Sequence, residues 1–210
     1  MKRFEIITEA DARVLDIGAT VELAEGGIVT PLAKDTLASR RITIVTPGAL
    51  DSSLAANLVP TEDIRRVTIG SDHSGLKLKT AIVQHLRGRA MAVTDIGTTT
   101  AEPVDYPDIA GAVAVAVARG EADAGIVIDG AGIGSAIAAN KVRGIRAAMI
   151  TDETIARYAR EHNGTNVMTL GSTLMAADQA LRCVDVWLGT PMTEARYIRR
   201  LVKIRRLEDA

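Results

Sequence analysis

Ala124-Gly-Ile-Val-Ile-Asp-Gly-Ala-Gly-Ile-Gly-Ser-Ala-Ile-Ala-Ala-Asn140 is the stretch that decides the fold of this 210-residue chain. An apolar, β-type run ends on Asp129, three alternating glycines follow (Gly130, Gly132, Gly134), and a small-residue helical pattern starts at once. Glycine lets backbone N–H groups crowd toward a ligand, and a helix start adds unpaired donors and a positive dipole end. A carboxylate at the C-terminal end of a strand, beside such donors, can hold and deprotonate an anionic substrate. Taken alone, the stretch fits a tight strand-to-helix turn that binds nothing equally well, because short glycine patterns are weak signals.

Outward from it, the same alternation recurs. Strands are predicted at Val67–Ser71, Ala92–Ile96, Ala124–Asp129, Ile145–Ile150 and Val167–Gly171. Helices are predicted over Gly75–Arg87, Asp108–Arg119 (entered through Pro107), the glycine loop to Val142, and Asp152–His162 with Thr151 or Asp152 as cap. Two more follow near Ala176–Leu188 and Thr193–Leu207. Successive βα units predict an α/β fold, a Rossmann-like three-layer sandwich with a five-stranded parallel sheet. Ligands then sit at the carboxyl ends of the strands, which puts Ser71-Asp72-His73 and Asp129-Gly130 on one rim.

Residues 1–62 read as a small α/β N-terminal extension and linker, and 63–210 as the main domain. Thr8-Glu-Ala-Asp11 is a capping box opening a short helix, Thr30-Pro31 starts a second, and Ile42–Thr46 is a strand. Pro47 to Asp63 reads as the linker. So short a segment makes a marginal core by itself, so it is expected to pack on the main domain or a partner.

Composition narrows the function classes. The chain is 47% hydrophobic but 2% aromatic, so aliphatic side chains must fill the core. With 25 basic and 26 acidic residues the net charge is −1, which selects neither nucleic acid nor an anionic membrane. Cys183 is the only cysteine, sits in a helical pattern and reads as a core filler; no disulfide framework or cysteine-rich metal site is expected. The run Ile109–Ala118 is too short to span a bilayer, and Lys2-Arg3 leads straight into Phe-Glu-Ile-Ile, unlike a signal peptide. A soluble, cytoplasmic protein is the expectation.

Several polar residues stand at element ends where packing does not call for them: Asp72-His73, Asp105-Tyr106, Asp129 and His162-Asn163. Arg196 and Arg200, four apart on the last helix, share a face and could clamp a phosphate. Each has an ordinary alternative: a solvated helix face for the arginines, a surface or core role for His73 and His162, packing for Tyr106. Their co-occurrence favours a site.

Residues 65–205 resemble the ribose 5-phosphate isomerase B and galactose 6-phosphate isomerase family. The resemblance rests on Gly70-Ser-Asp-His-Ser-Gly75, Asp105-Tyr-Pro107, Gly130-Ala-Gly-Ile-Gly134, Ile137-Ala-Ala-Asn-Lys-Val142, Gly144-Ile-Arg-Ala147 and Glu161-His-Asn-Gly-Thr-Asn166. It implies aldose–ketose isomerisation of a small sugar phosphate through an enediol, with no metal and no cofactor. It also implies homodimers or homotetramers with active sites shared between subunits. On that basis Asp72 and His73 would contact the sugar and its phosphate, and Tyr106 would line the pocket. Gly130, Ala131, Gly132, Ile133 and Gly134 would form an anion-binding loop. His162 would assist ring opening from a neighbouring subunit, Asn163 would orient substrate, and Arg196 with Arg200 would bind phosphate. The sequence departs from the family pattern near the chemistry. Asp129 stands where many members carry a cysteine base, Ala131 where they carry threonine, and Ser135 where another branch carries a glutamate base. Thr173 stands where arginine is common. Asp129 then becomes the expected general base. Two alternatives remain, a non-catalytic sugar-phosphate binding or assembly protein and an isomerase of another sugar phosphate such as a tetrose phosphate. Ile6-Ile-Thr-Glu-Ala-Asp-Ala-Arg13 and Val29-Thr-Pro-Leu-Ala-Lys-Asp35 resemble, more loosely, the opening of ethanolamine-utilisation accessory proteins, which implies a partner in a bacterial microcompartment.

Overall fold

The computed structural model describes residues 2–46 and 58–208, which divide into two units, Met1–Ser52 and Ser53–Ala210. The second unit is built on a five-stranded, all-parallel sheet of β4 (Arg66–Ser71), β5 (Ala92–Asp95), β6 (Ala124–Asp129), β7 (Ala147–Met149) and β8 (Val167–Gly171). The strand order is β5-β4-β6-β8-β7. Its helices are α3 (Leu76–Gly88), α4 (Tyr106–Ala118), α5 (Ile133–Ala139), α6 (Glu153–Asn163), α7 (Ala177–Gly189) and α8 (Ala195–Leu207).

Residue alternation along the strands sorts the core into two layers. Val67, Ile69, Ile126, Ile128, Met168 and Leu170 face one side, where they meet Ile82 and Leu86 of α3, Ala156 of α6, and Cys183 and Trp187 of α7. Val127 and Val167 face the other, against Val113 and Val117 of α4 and Ala139 of α5. With few aromatics available, these aliphatic side chains close the sandwich, and Trp187 anchors one layer through Nε1–H to Thr165 Oγ1 at 2.8 Å. Cys183 is fully buried, and burial pushes its thiol up to about 11, as suits a core residue.

The chain leaves β4 toward β5 on one side and crosses to β6 on the other, so the topological switch lies between β4 and β6. Their register pairs Ser71 with Ile128, and the Asp72 N–H continues the ladder to Ile128 O at 3.1 Å. Asp72 and Asp129 therefore leave adjacent strands side by side, at the place where open α/β sheets bind ligands.

Some elements are shorter than the sequence pattern. α5 stops at Ala139 rather than Val142, because Asn140 turns back: its amide donates to Ala136 O and Ala147 O and accepts from Ala147 N. β7 is reduced to Ala147–Met149, the residues whose Cα register with β8 is continuous.

The first unit is a three-stranded parallel sheet of β1 (Arg3–Ile7), β2 (Thr20–Val29) and β3 (Thr43–Val45), with α1 (Glu9–Val14) and α2 (Pro31–Ser39) in the connections. The capping box is present: Thr8 Oγ1 accepts from Asp11 N, and Asp11 accepts from Thr8 N. Ile7, Ala12, Val21, Ala33 and Leu37 form its core. Strands β1 and β2 were not foreseen from sequence. In β2 the register jumps between Phe4↔Leu23 and Ile6↔Ile28, around Gly26 at φ +78°, and this bulge hides the period-two pattern.

The expected linker 47–63 divides differently. Residues 47–57 lie outside the described residues, while 58–63 are seated on the second unit. Leu58 is buried, its carbonyl accepts from Arg146 Nη2 at 2.9 Å, and the Thr61 carbonyl accepts from Arg160 Nη2 at 2.9 Å.

Candidate active site

The strand ends at the switch point carry two buried carboxylates. Asp72 follows β4, and its Oδ1 accepts from Ser74 N (2.9 Å), Ser74 Oγ (2.6 Å) and Gly75 N (3.1 Å). These bonds form the turn into α3 and leave Oδ2 without a hydrogen bond from any described residue. His73 is exposed beside it, with Val104 N donating to Nδ1 at 3.4 Å.

Asp129 closes β6 and is 4% exposed. Four donors converge on its carboxylate. Oδ1 accepts from Ala131 N at 2.7 Å and from Gly132 N, and Oδ2 accepts from Ser135 N at 3.0 Å and from the Ser135 hydroxyl. The donors of the glycine loop thus gather on a carboxylate of the chain itself, Asp129. Among the described residues, the N–H groups of Ile133 and Gly134 hold no acceptor.

The loop has little freedom. Gly132 sits at φ +78°, and a Cβ there would approach Leu170 C to 2.9 Å. Its carbonyl accepts from Thr169 Oγ1 at 2.8 Å. Thr173 Oγ1 donates to Gly130 O at 2.6 Å, and Ser172 N to Asp129 O at 2.8 Å. Thr173, at the position where arginine is common, therefore latches the β8–α7 connection onto the loop. Tyr106, at the start of α4, lies so close over Gly134 that a Cβ there would collide with its ring and hydroxyl. Asp72, His73, Tyr106, Asp129 and the loop Gly130, Ala131, Gly132, Ile133, Gly134 are thus gathered on one rim.

The other expected residues are on the opposite rim. Helix α6 runs antiparallel to the strands for 11 residues, about 16 Å at 1.5 Å per residue, so its last turn lies beside the start of β8. His162 there stacks on Tyr158 (centroids 4.6 Å, planes 16° apart) and meets Tyr197 of α8 at 4.5 Å. The Arg196 guanidinium lies 4.8 Å above the Tyr197 ring and donates to its hydroxyl at 2.9 Å, and Arg200 lies 5.7 Å from the same ring. Asn163 is exposed next to His162. Among the described residues, no hydrogen bond, ion pair or ring contact joins this cluster to the Asp72–Asp129 rim.

Sequence reasoning missed Tyr158 and Tyr197, and it noted Ser135 and Thr173 as departures from the family pattern without foreseeing their contacts to Asp129 and Gly130. Tyr158 stands four residues before His162, a spacing that puts both on one helix face and could have flagged it. Ser135 contacts Asp129 only through the loop's curl, which no periodicity reports.

Among the described residues no group of three or more His, Cys, Asp or Glu side chains could hold a metal ion, and no helix is long and apolar enough to cross a membrane. The profile of the Ribose/Galactose Isomerase family matches residues 67–204. The chain belongs to this family. Ribose-5-phosphate isomerase B of Escherichia coli (strain K12) is 43% identical over 146 residues, which cover 70% of this chain and 98% of that protein. The solved ribose-5-phosphate isomerase B of Clostridium thermocellum superposes with a TM-score of 0.68 at 47% identity, covering 69% of this chain and 97% of its own. The Mycoplasma genitalium ribose-5-phosphate isomerase B, solved with bound ribulose-5-phosphate, superposes at 0.66 with 38% identity over 69% of this chain and 96% of its own. For this member of the Ribose/Galactose Isomerase family, the matched region is the five-stranded unit, and the β1–β3 unit lies outside it.

Proposed function

We propose that the chain is an aldose–ketose isomerase of a small sugar phosphate, of the ribose 5-phosphate/ribulose 5-phosphate type, with Asp129 as the group that moves the proton. The observation that carries this reading is the pair of buried carboxylates on adjacent strand ends, one with an oxygen left open and the other seated in a donor cradle. Asp72 Oδ2 accepts a sugar hydroxyl. Asp129 withdraws one oxygen from the loop and takes the C2 proton of the open-chain aldose. Negative charge then develops on O1, and the N–H groups vacated by the now neutral Asp129 meet that oxygen. The O2 proton passes to O1, Asp129 returns its proton to C1, and the carbonyl is left at C2.

The opposite-rim cluster enters through a second copy. His162, Asn163, Arg196 and Arg200 cannot reach the Asp129 of their own chain across the sheet, so they are assigned to a neighbouring subunit's pocket in a homodimer or a larger homo-oligomer. There His162 serves ring opening, and the arginine pair holds the phosphate. The β1–β3 unit, outside the family match, is assigned to docking or assembly, with a bacterial microcompartment as its candidate location.

The test is Asp129→Asn, assayed by ketose formation from ribose 5-phosphate and by exchange of the ketose C1 proton with solvent deuterium. Turnover and exchange are expected to fall together by a factor on the order of 10² or more, the usual scale for a lost general base, with substrate binding kept. Unchanged exchange in a variant that still binds substrate would place the base elsewhere.

A further inference from the structure

Lys79 lies in α3 with its side chain 2% exposed, among the largest side chains buried in the molecule. Its Nζ donates to Asp95 Oδ1 at 2.7 Å and to Thr98 O at 2.7 Å. Lysine is rarely buried so fully, and stability alone does not call for it here. The helix already buries Leu78, Ile82, Val83 and Leu86, and a buried ion pair can commonly be replaced by apolar side chains of similar volume without loss of stability. The charge acts instead on the connection from β5 to α4.

That connection wraps the end of β4. Asp95 Oδ1 also accepts from Gly97 N at 3.1 Å, so the carboxylate and the Lys79 ammonium together fix the turn 95–98. Gly97 lies against the Ser71 backbone, where a Cβ would collide with Ser71 N, and Thr98 N donates to Ser71 O at 3.1 Å. Farther along, Val104 N donates to His73 Nδ1 at 3.4 Å. The run 95–104 therefore meets the Ser71–His73 strand end at both of its own ends. Between those contacts its bonds are local, such as Thr100 N to Thr98 Oγ1 at 3.2 Å. Helix α4 beyond it is seated separately, with Ile109 and Val113 against Gly70. What Lys79 governs is thus the run itself and, through Val104, the placement of the exposed His73 ring.

We propose that Lys79 is a positioning residue for substrate binding: by fixing the turn 95–98 it sets the run 95–104 as a wall of the pocket and holds the His73 imidazole where it meets the substrate. This rests on the reading of the Asp72–Asp129 rim as a sugar-phosphate isomerase site. An ammonium suits the task because one compact group satisfies a carboxylate and a main-chain carbonyl at the two ends of the turn, which no apolar side chain does. His73 and the wall act on the sugar and its phosphate, away from the C1–C2 proton transfer. Misplacing them removes binding that ground state and transition state share, so the cost falls on KM and spares kcat.

The variant is Lys79→Met in the full chain. It keeps an unbranched stem, and water reaches the Asp95 carboxylate it leaves behind, whose side chain is 28% exposed. In the ligand-free protein the Val104 amide and His73 ring resonances should shift, while those of His162 on the opposite rim stay in place as the control. In the ketose-formation assay with ribose 5-phosphate, KM should rise about tenfold, the scale of one substrate hydrogen bond, with kcat within about twofold of wild type. Unmoved Val104 and His73 resonances in folded Lys79→Met overturn the proposal. So does an unchanged KM, and so does a fall in kcat at constant KM, which would tie Lys79 to the proton transfer. If Lys79→Met does not fold, Asp95→Asn, which keeps the acceptor oxygen and removes the charge, serves in its place. It should move the same resonances less far and raise KM about threefold, and no movement there overturns the proposal equally. A wild-type chain that forms no ketose refutes the isomerase reading by itself. The resonances, recorded without ligand, then still decide whether Lys79 places His73.

Discussion

Where the catalytic unit begins can be tested by two truncations, one starting at Leu58 and one at Ile64. The Escherichia coli relative aligns over 146 residues and is itself 98% covered, so the matched family unit lies outside β1–β3. The six residues between the two start points contribute little side-chain mass but hold one buried and one half-buried cation. Arg160 is 2% exposed, is pulled down to about 10 by burial and by repulsion from Arg146, and lies 5.2 Å over the Trp187 ring. It donates to Thr165 O at 2.7 Å and to Thr61 O at 2.9 Å. Arg146 likewise depends on Leu58 O.

Starting at Ile64 removes both carbonyls and the buried Leu58 side chain. Hydrogen bonds to charged groups contribute about 1.5–3 kcal/mol each, so the two amount to roughly 3–6 kcal/mol. Leu58 adds about 2 kcal/mol of burial, and water entering the vacated positions returns part of the total. A net loss of about 4 kcal/mol, with a urea slope of about 2 kcal/mol per molar, separates the two unfolding midpoints by about 2 M. The assay is urea unfolding followed by Trp187 fluorescence, since the indole is fully buried next to Arg160. Midpoints within about 0.5 M of each other would refute the idea that the carbonyls of 58–61 sustain these arginines.

Two further outcomes are expected. Mixing Asp129→Asn with His162→Asn protein should restore about a quarter of wild-type activity, because half of the random dimers carry one intact site of two; activity that stays at the level of the separate variants would mean that both residues serve the same subunit. Asp123 accepts from Arg65 N and Arg66 N and pairs with the Arg66 guanidinium at 2.6 Å. Burial alone would raise its carboxyl, but the Arg66 guanidinium and the two backbone N–H groups outweigh this and hold it below the usual value. A depressed folded value means that the stabilisation is complete above the unfolded titration, roughly pH 5 and higher, and is lost as pH falls through the folded value. Thermal unfolding should therefore show Asp123→Asn weaker than wild type at neutral pH, with the two curves meeting in acid; a constant gap down to about pH 2 would contradict the assignment.

The βα units were legible because four of the five strands are short apolar runs stopped by Gly, Asp or Ser, and several helices carry their own entry signal. Pro107 and Asp152 stand at such entries, and Asp152 caps α6 by accepting from Thr154 N and Ile155 N. Strands β1 and β2 were not legible, because a glycine bulge and scattered glutamates break the alternation that would mark them. Asp72 and Asp129 were visible as carboxylates ending strands. Which donors they face was not, since Ser135 reaches Asp129 only once Gly132 has taken its positive φ. Arg146 and Arg160 gave no signal either. Arginines in a strand lead-in and a last helical turn look like surface charge until the carbonyls they serve, up to 99 residues away in sequence, are placed.

The occupied cradle bears on how much catalysis the glycine loop can supply. Donors accelerate a reaction only where they hold the transition state better than the ground state. In a pocket whose base is neutral at rest, empty loop donors meet a charge that did not exist before the reaction began. In this chain the Asp129 carboxylate already occupies the loop, and the proposed mechanism would move the loop's donors from a carboxylate oxygen to a substrate oxygen. On that proposal the four donors would serve both states, and the loop would contribute only the difference in fit between the two oxygens. The exchange has a structural condition: the carboxylate must be able to leave while the loop stays in place. Gly132 pinned by Thr169, and Gly130 and Asp129 held by Thr173 and Ser172, provide that, since every one of these bonds acts on the loop's carbonyls rather than on the Asp129 side chain.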